Sequence, residues 1–293
     1  MINFHNYGFL DCKKLKARLE DSNAFLSYYN PIWLFLWSDI YRPEICFNNE
    51  FIFIRVNIPN LGKCYYPPIP VGSGDLAMTI VEMELEASEL GVNFYIGPVL
   101  DNDKRKYKNM GISLYPNKSL SNYIFFANDL TFTMTRYKKQ RKISDVFKKK
   151  HKNVFYKLMK KEDFTSVLEF ISHYREERGI DNTDLSFYNT LNMIKKCFEH
   201  LYELDLLGMM LMDEEKIYGF IIGSIVDNCT YVHVRMSLKE FGAREELLSS
   251  FAKYAQTKAR YIAFDCPDNL KEEEALESLF PQRVEYFNGS FNV

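Results

Sequence analysis

The segment Lys216–Ala259, KIYGFIIGSIVDNCTYVHVRMSLKEFGAREELLSSFAKYAQTKA, decides the fold. Its two apolar runs, Ile217–Val226 and Thr230–Met236, are rich in β-branched residues and flank the turn pair Asp227-Asn228, so the pattern predicts a β-hairpin. A helical pattern follows a loop that contains Gly242-Ala243. A helix that begins after a loop of small residues presents free N–H groups and a positive dipole end, which favour phosphate. The segment therefore predicts a β-β-α unit with an anion site in its loop.

The same order of elements occurs on both sides of residue 128. The second half predicts a strand, two helices, three strands, a helix, a strand, a helix and a strand. The first half predicts helices near 10–19 and 32–41, strands near 44–47, 51–57 and 63–66, a helix through residue 90, and strands near 93–97, 112–115 and 123–126. The repeat predicts an α/β protein with mixed sheets, built from two modules packed side by side. We expect the modules to be residues 1–128 and 129–293, with a basic helix at 136–150 leading into the second.

Composition limits the class of protein. The 293 residues are 47% hydrophobic and 26% charged, which is typical of a soluble globular protein with a sizeable core. No run approaches the roughly 18 apolar residues of a membrane span, and the first residues lack the pattern of a signal peptide. The six cysteines are scattered, without CxxC pairs or histidines at metal-ligand spacing. We therefore expect a cytoplasmic protein with no membrane span and no metal.

The net charge of −2 conceals a strongly basic segment. Between Arg136 and Lys161 there are twelve basic residues and one acid, Asp145. Such a segment can be a solvated helix face, or it can bind a polyanion such as tRNA, a nucleotide cofactor or an anionic membrane. The candidate contacts are Lys138, Arg141 and Lys142.

Four further segments resemble the motifs of one family. YNPIWLFLWSD (29–39), YPPIPVGSGD (66–75), YKKQRKISDVF (137–147) and REERG (175–179) resemble its F-T-N-L-x-x-W, F-P-x-G-x-G-D, K-K-R-x-x-I-x-x-F and E-E-R-G motifs. This is a bacterial family of unknown function that shares its fold with the C-terminal catalytic domain of phosphatidylglycerol lysyltransferases. The resemblance implies a tandem GNAT fold that transfers an acyl or aminoacyl group from acyl-CoA or aminoacyl-tRNA to an amine or hydroxyl. The acceptor, the acyl group and the oligomeric state stay open.

The resemblance also suggests where a donor binds. The GNAT phosphate loop, usually R/Q-x-x-G-x-G/A, corresponds here to the segment from Lys239 to Arg244, so Lys239, Gly242, Ala243 and Arg244 are the candidate cofactor-binding residues. Lysine replaces the first basic residue, and Arg244 stands where a small residue is usual. In the first half the equivalent helix begins at Asp75, an N-cap residue that would repel a pyrophosphate. The second half is therefore the predicted site.

The candidate catalytic residues lie on the strand before that loop. His233 and Arg235 alternate with Val232 and Val234, so both point to one face of the strand. Histidine suits the role of proton acceptor, and arginine can hold a carboxylate or phosphate. The alternative is that both residues only decorate a polar face. Asp265 ends a buried strand, where open α/β sheets place ligands, and is a candidate for substrate binding.

The sequence therefore predicts an acyltransferase that uses acyl-CoA or aminoacyl-tRNA and acts in a cleft of the second half. The alternative function is a catalytically degenerate GNAT-fold module that docks RNA or another polyanion through residues 136–161. The atypical phosphate loop motivates this alternative.

Overall fold

The computed structural model describes residues 2–19, 29–59, 61–267 and 270–291. Within these ranges the helices are α1 (Phe9–Leu19), α2 (Pro31–Leu36), α3 (Ser38–Tyr41), α4 (Leu76–Glu89), α5 (Lys104–Asn109), α6 (Lys138–Lys150), α7 (Phe164–Arg178), α8 (Leu185–Glu199), α9 (Ala243–Ala255) and α10 (Leu270–Glu277). The strands are β1 (His5–Asn6), β2 (Glu44–Phe47), β3 (Phe51–Ile58), β4 (Gly62–Tyr65), β5 (Ile69–Pro70), β6 (Ile96–Leu100), β7 (Ile112–Phe126), β8 (Phe155–Leu158), β9 (Leu207–Met212), β10 (Ile217–Val226), β11 (Cys229–Ser237), β12 (Tyr261–Asp265) and β13 (Gln282–Phe291). The mixed α/β class predicted from the sequence is confirmed.

The strands form one continuous mixed sheet in the order β1-β2-β3-β4-β6-β13-β7-β12-β11-β10-β9-β8, with β5 paired to β3. Only β4 with β6 and β11 with β12 run parallel among the described pairs. Counted inward from either edge, the sheet has four strands, then a fifth strand parallel to the fourth, and then a strand from the other half of the chain. The two sheets that we expected side by side are therefore joined, because β13 lies beside β6 and β7 lies beside β12. The module boundary at residue 128 stays a prediction.

Three clusters of buried side chains cover the two faces of this sheet. One cluster extends along a whole face and packs α1, α2, α7 and α8 against strands from both halves. On the other face, α4 and α5 cover the first half, and α6, α9 and α10 cover the second. Alternation along β10 shows the reason, since Phe220 and Ile222 join the first cluster while Ile221, between them, joins the α9 cluster.

Two elements differ from the sequence-based expectation. Helix α5 occupies a polar segment to which the sequence pattern assigned no element, because Tyr107 is its one buried side chain and a single residue gives no apolar period. Strand β7 is one element of 15 residues rather than two short strands. Its middle, around Pro116 and Asn117, is polar and exposed, which resembles a turn, yet it still pairs with β13.

Candidate functional site

The sheet opens where β4 and β6 diverge, and we call this place the first opening. The two strands share a single residue pair, Tyr65 with Ile96, before the chain leaves β4 through a proline-rich segment. A cavity of about 770 Å³ lies here, and we call it the large cavity. Its lining includes Tyr29, Phe51, Pro67, Pro68, Ile69, Pro70, Leu76, Pro98, Leu100, Tyr107, Ile124, Tyr261 and Val284. The lining is mostly apolar and comes from both halves of the chain, so the cavity fits the apolar part of a ligand.

A few polar side chains interrupt this apolar lining. Asn102, Asp103 and Lys106 come from α5 and the turn before it, and Gln282 comes from the start of β13. Asp103 is half-buried and is the one carboxylate among the described residues that line the cavity, whereas Lys106 is exposed. The large cavity therefore offers a proton acceptor and a cation beside an apolar interior.

The start of α4 borders the large cavity but is not free to hold phosphate. The Asp75 carboxylate accepts hydrogen bonds from the backbone N–H groups of Ala77 and Met78, at 2.7 and 3.3 Å. Gly74 packs so closely on Phe51 that a Cβ atom would lie 2.5 Å from its ring. The helix cap thus has the form expected from the sequence, and its negative charge opposes an anion at this end.

The second opening lies beyond the paired part of β11 and β12, where four residue pairs join the strands. His233 is just past the last pair, and its Nε2 lies 2.7 Å from the hydroxyl oxygen of Ser224. Its Nδ1 is buried and has no hydrogen-bond partner among the described residues. Burial lowers the pKa of His233 to about 3, so the ring is neutral and a weak base at pH 7. Its catalytic role stays a prediction.

Side chains from the first half fill the second opening. The Asp265 carboxylate accepts hydrogen bonds from Trp33 Nε1 at 3.2 Å and from Asn122 Nδ2 at 3.1 Å. Asn122 in turn accepts a 2.6 Å hydrogen bond from the hydroxyl of Tyr286. This network joins α2 to three central strands. Asp265 therefore lies in an interior contact and not on the surface of α6 that carries the other predicted substrate ligands.

The structure does bring Arg235 and Arg244 together. Both line a pocket of about 120 Å³ between α6, α9 and α10. Arg235 donates a 2.9 Å hydrogen bond to Glu272, and Arg244 donates one of 2.8 Å to Glu245 and lies 3.9 Å from Glu272. Burial lowers the pKa of Arg235, and the charge of Glu272 opposes this effect. Glu245 and Glu272 thus compensate the charges of the two arginines that line this small pocket.

The predicted phosphate loop lies against α6. Gly242 has φ 85°, and a Cβ atom there would lie 2.5 Å from the carbonyl oxygen of Ile143 and 2.9 Å from Cβ of Phe147. This close approach of two helices requires glycine. Ala243 is buried, and Lys239 Nζ donates a 2.7 Å hydrogen bond to the carbonyl of Glu177. The assignment of these residues to a donor stays a prediction, and the contacts give them a structural role.

A row of lysines follows the outer surface of α6. Lys138, Lys142 and Lys149 are exposed and share one helix face, and none has a carboxylate partner among the described residues. We call these three residues the basic face. Arg141, beside it, donates a 2.8 Å hydrogen bond to the carbonyl of Thr133. Unpaired cations on one face form an electrostatic surface for a polyanion.

Comparison with known proteins gives the family. The C-terminal domain of phosphatidylglycerol lysyltransferase matches residues 27–280. The chain belongs to this family. No curated protein matches the sequence. The membership confirms the resemblance inferred from the motifs, and the family has an acyltransferase-like GNAT fold.

Solved structures agree on the fold. A conserved protein of unknown function from Bacteroides thetaiotaomicron VPI-5482 superposes with a TM-score of 0.89 at 18% identity, covering 100% of both chains. L-PGS from Bacillus licheniformis gives 0.62 at 11% identity, covering 95% of this chain and 91% of that one. FemX gives 0.65 at 10% identity, covering 96% of each chain.

Every helix in the described residues is too short or too polar to cross a membrane. The described residues contain no group of three or more His, Cys, Asp or Glu side chains placed to hold a metal.

Sequence reasoning missed the large cavity. The signals that could have indicated it were the proline cluster 67–70 and the K-R-K-Y-K run 104–108 beside it.

Proposed function

We propose that this chain transfers an aminoacyl group from aminoacyl-tRNA to an acceptor whose apolar part occupies the large cavity. The observation that carries the proposal is the cavity itself, with about 770 Å³ of mostly apolar space at an opening of the sheet. Family membership supplies the class of reaction. The family's name specifies a lysyl group and phosphatidylglycerol, so these are the first donor group and acceptor to test.

The acceptor side of the proposal rests on the lining of the large cavity. An amphiphilic acceptor can place hydrocarbon against Pro67, Ile69 and Val284, where water leaves apolar surface on binding. Lys106 at the exposed edge can pair with an anionic headgroup.

The donor side rests on the basic face. Its three lysines have no carboxylate partners in the described structure, so phosphates would release counterions without breaking internal ion pairs. Neither helix start favours a pyrophosphate, because Asp75 caps α4 and α6 covers Gly242. These contacts favour a donor carried on RNA over acyl-CoA.

The transfer needs one proton acceptor and little else. The acceptor oxygen or nitrogen attacks the ester carbonyl carbon, the new bond forms, and the ester bond to the terminal ribose breaks. The acceptor's proton passes to a base, and the departing ribose oxygen takes up a proton. We assign the base role to Asp103, the carboxylate that lines the large cavity.

A second candidate function is binding without catalysis. The neutral, weakly basic His233 and the covered loop at Gly242 favour it for the second half. A module of this kind would bind tRNA in a salt-sensitive way and transfer nothing.

The decisive experiment mixes the purified chain with tRNA charged with radiolabelled lysine and with vesicles that contain phosphatidylglycerol. Label that moves to lipid supports the proposal, and acetyl-CoA in place of tRNA tests the other donor. Tight tRNA binding with no transfer from any charged tRNA supports the binding module instead.

A pair of double variants tests the donor surface. Lys142→Gln with Lys149→Gln should weaken tRNA binding and lower the salt-dependence slope by about two. The matched control, Lys118→Gln with Lys195→Gln, removes the same charge from exposed residues elsewhere. Equal losses in both double variants would refute a specific role for the basic face.

A further inference from the structure

A shallow groove of about 530 Å³ lies where the chain leaves β7 and where it follows α9. Its lining includes Phe126, Asn128, Asn228, Gln256, Lys258 and Arg260. We call it the Phe126 groove. Amide side chains supply both donors and acceptors here, and no carboxylate lines the groove among the described residues. Two acids adjoin lining residues in sequence: Asp227 precedes Asn228, and Asp129, which pairs with Arg136, follows Asn128.

An aromatic ring and an arginine form the floor of this groove. The Phe126 side chain is 47% exposed, although its ring packs beside Tyr261 with centroids 5.2 Å apart. The Arg260 guanidinium lies 5.4 Å from both ring centroids. Neither Arg260 nor the exposed Lys258 has a carboxylate partner in the described part of the chain. An exposed ring beside unpaired cations is the combination that binds unpaired bases and their phosphates.

The groove lies between the basic face and the large cavity. Helix α6 runs antiparallel to α9, because Lys150 at its end pairs with Glu240 before α9, while Ser249 within α9 donates to the carbonyl of Thr131 before α6. The groove at the end of α9 is therefore beside the start of α6. Tyr261, whose ring packs beside Phe126, also lines the large cavity.

We infer that the Phe126 groove binds the unpaired terminal nucleotide of an RNA. In this arrangement the base stacks on Phe126, and Lys258 and Arg260 neutralise its phosphate. The amides of Asn128, Asn228 and Gln256 are available to the edge of the base. The inference rests on the proposed function for the identity of the RNA, a charged tRNA. The groove would hold the 3′ end of that RNA between the basic face and the large cavity.

The test uses fluorescence anisotropy with the full chain and two 5′-labelled RNA oligonucleotides, one ending in ACCA and one lacking the terminal A. We expect the longer RNA to bind about 10-fold more tightly, since one stacked base accounts for such a factor. Phe126→Leu should abolish this preference while leaving the salt dependence unchanged. Lys258→Gln with Arg260→Gln should instead reduce the salt dependence for both RNAs.

The control is Tyr115→Leu, which removes another exposed aromatic ring, 63% exposed on β7. Thermal melting of each variant shows that it is folded. An unchanged preference in Phe126→Leu, or an equal loss in Tyr115→Leu, would overturn the inference. Failure of the proposed function looks different: lysine transfer is absent while the Phe126-dependent preference for the terminal nucleotide persists.

Discussion

The two openings of the sheet occupy equivalent positions in the strand order and differ in content. At the first, β4 and β6 share one residue pair, and a cavity of about 770 Å³ follows. At the second, β11 and β12 share four pairs, and the space beyond is occupied by Trp33 hydrogen-bonded to Asp265 and by Arg235 paired with Glu272. The pocket left there measures about 120 Å³.

The difference arises from the segments that follow the strands. In the first half, the proline segment 67–70 and α5 surround the space without entering it. At the second opening, α2 from the first half and α10 from the second place side chains inside the space, and α6 covers the loop at Gly242. Equivalent strand order therefore does not give equivalent cavities, and the larger cavity borders the helix that begins with an acid.

The largest expected effect concerns the candidate proton acceptors of the two openings, Asp103 at the first and His233 at the second. Asp103→Asn should lower lysine transfer by roughly 100-fold or more, because a base that takes the acceptor's proton contributes a factor of this order. His233→Gln should leave transfer within about threefold, because a ring that burial keeps neutral, with a pKa of about 3, accepts protons poorly. Single-turnover rates with charged tRNA measure both.

The control for this comparison is tRNA affinity, which neither substitution should change. A large loss in His233→Gln with normal melting behaviour would reverse the assignment. It would place the reaction at the second opening, as the sequence alone predicts.

A substitution that fills the first opening should have the next largest effect. Val284→Trp puts a larger side chain into the large cavity, so acceptor binding should be blocked and transfer should fall by about 100-fold. Binding of tRNA, measured by anisotropy, should stay unchanged. Leu185→Trp at the start of α8, where the native side chain is 76% exposed, is the matched control. Normal transfer by Val284→Trp would exclude the cavity as the acceptor site.

At the second opening, we expect a substitution to lower the stability of the fold rather than the rate of transfer. Gly242→Ala must place its Cβ 2.5 Å from the carbonyl oxygen of Ile143, whereas Gly179→Ala, also at positive φ, meets no atom within 4 Å. Both substitutions carry the backbone cost of about 1 kcal/mol, and Gly242→Ala should cost about 2 kcal/mol more because helix packing must shift. Urea unfolding measures the difference. Equal costs would show that α6 does not constrain this loop.

Much of the fold follows from the sequence because its signals are local. Apolar periods and turn residues predict most of the observed helices and strands, including the hairpin of β10 and β11 and the helix α9. The insertion of β13 between β6 and β7 depends on contacts between distant parts of the chain. No local pattern in β13 specifies β6 and β7 as its neighbours, so the sequence predicted two adjacent sheets rather than one joined sheet.

The proposed site was harder to predict because it is a cavity, and a cavity has no sequence pattern of its own. Sequence reasoning selects residues that carry chemistry, and it selected His233, Arg235 and the loop at Gly242. The structure places His233 against Ser224 and Gly242 against α6. The large cavity is lined mainly by prolines and apolar residues whose single-residue patterns also suit a core. The basic segment does contain a helix, and Lys138, Lys142 and Lys149 lie on one exposed face of it.

The smallest expected effect concerns how α4 is held beside the first opening. Burial alone would raise the pKa of Glu44, but hydrogen bonds from Arg55 at 2.7 Å and Lys63 at 2.6 Å hold it below its usual value. Arg55 also pairs with Glu86 on α4.

A carboxylate whose pKa is lowered by folding contributes stability above its unfolded pKa of about 4.3 and loses it as the pH falls through the lowered value. Glu44→Gln should therefore lower Tm by about 1–2 °C near neutral pH, and this difference should shrink between about pH 5 and pH 3. Glu82→Gln, an exposed change on α4, should show no such dependence. A difference that stays constant with pH would mean that Glu44 contributes through packing, and that its pairing with Arg55 adds nothing to the support of α4.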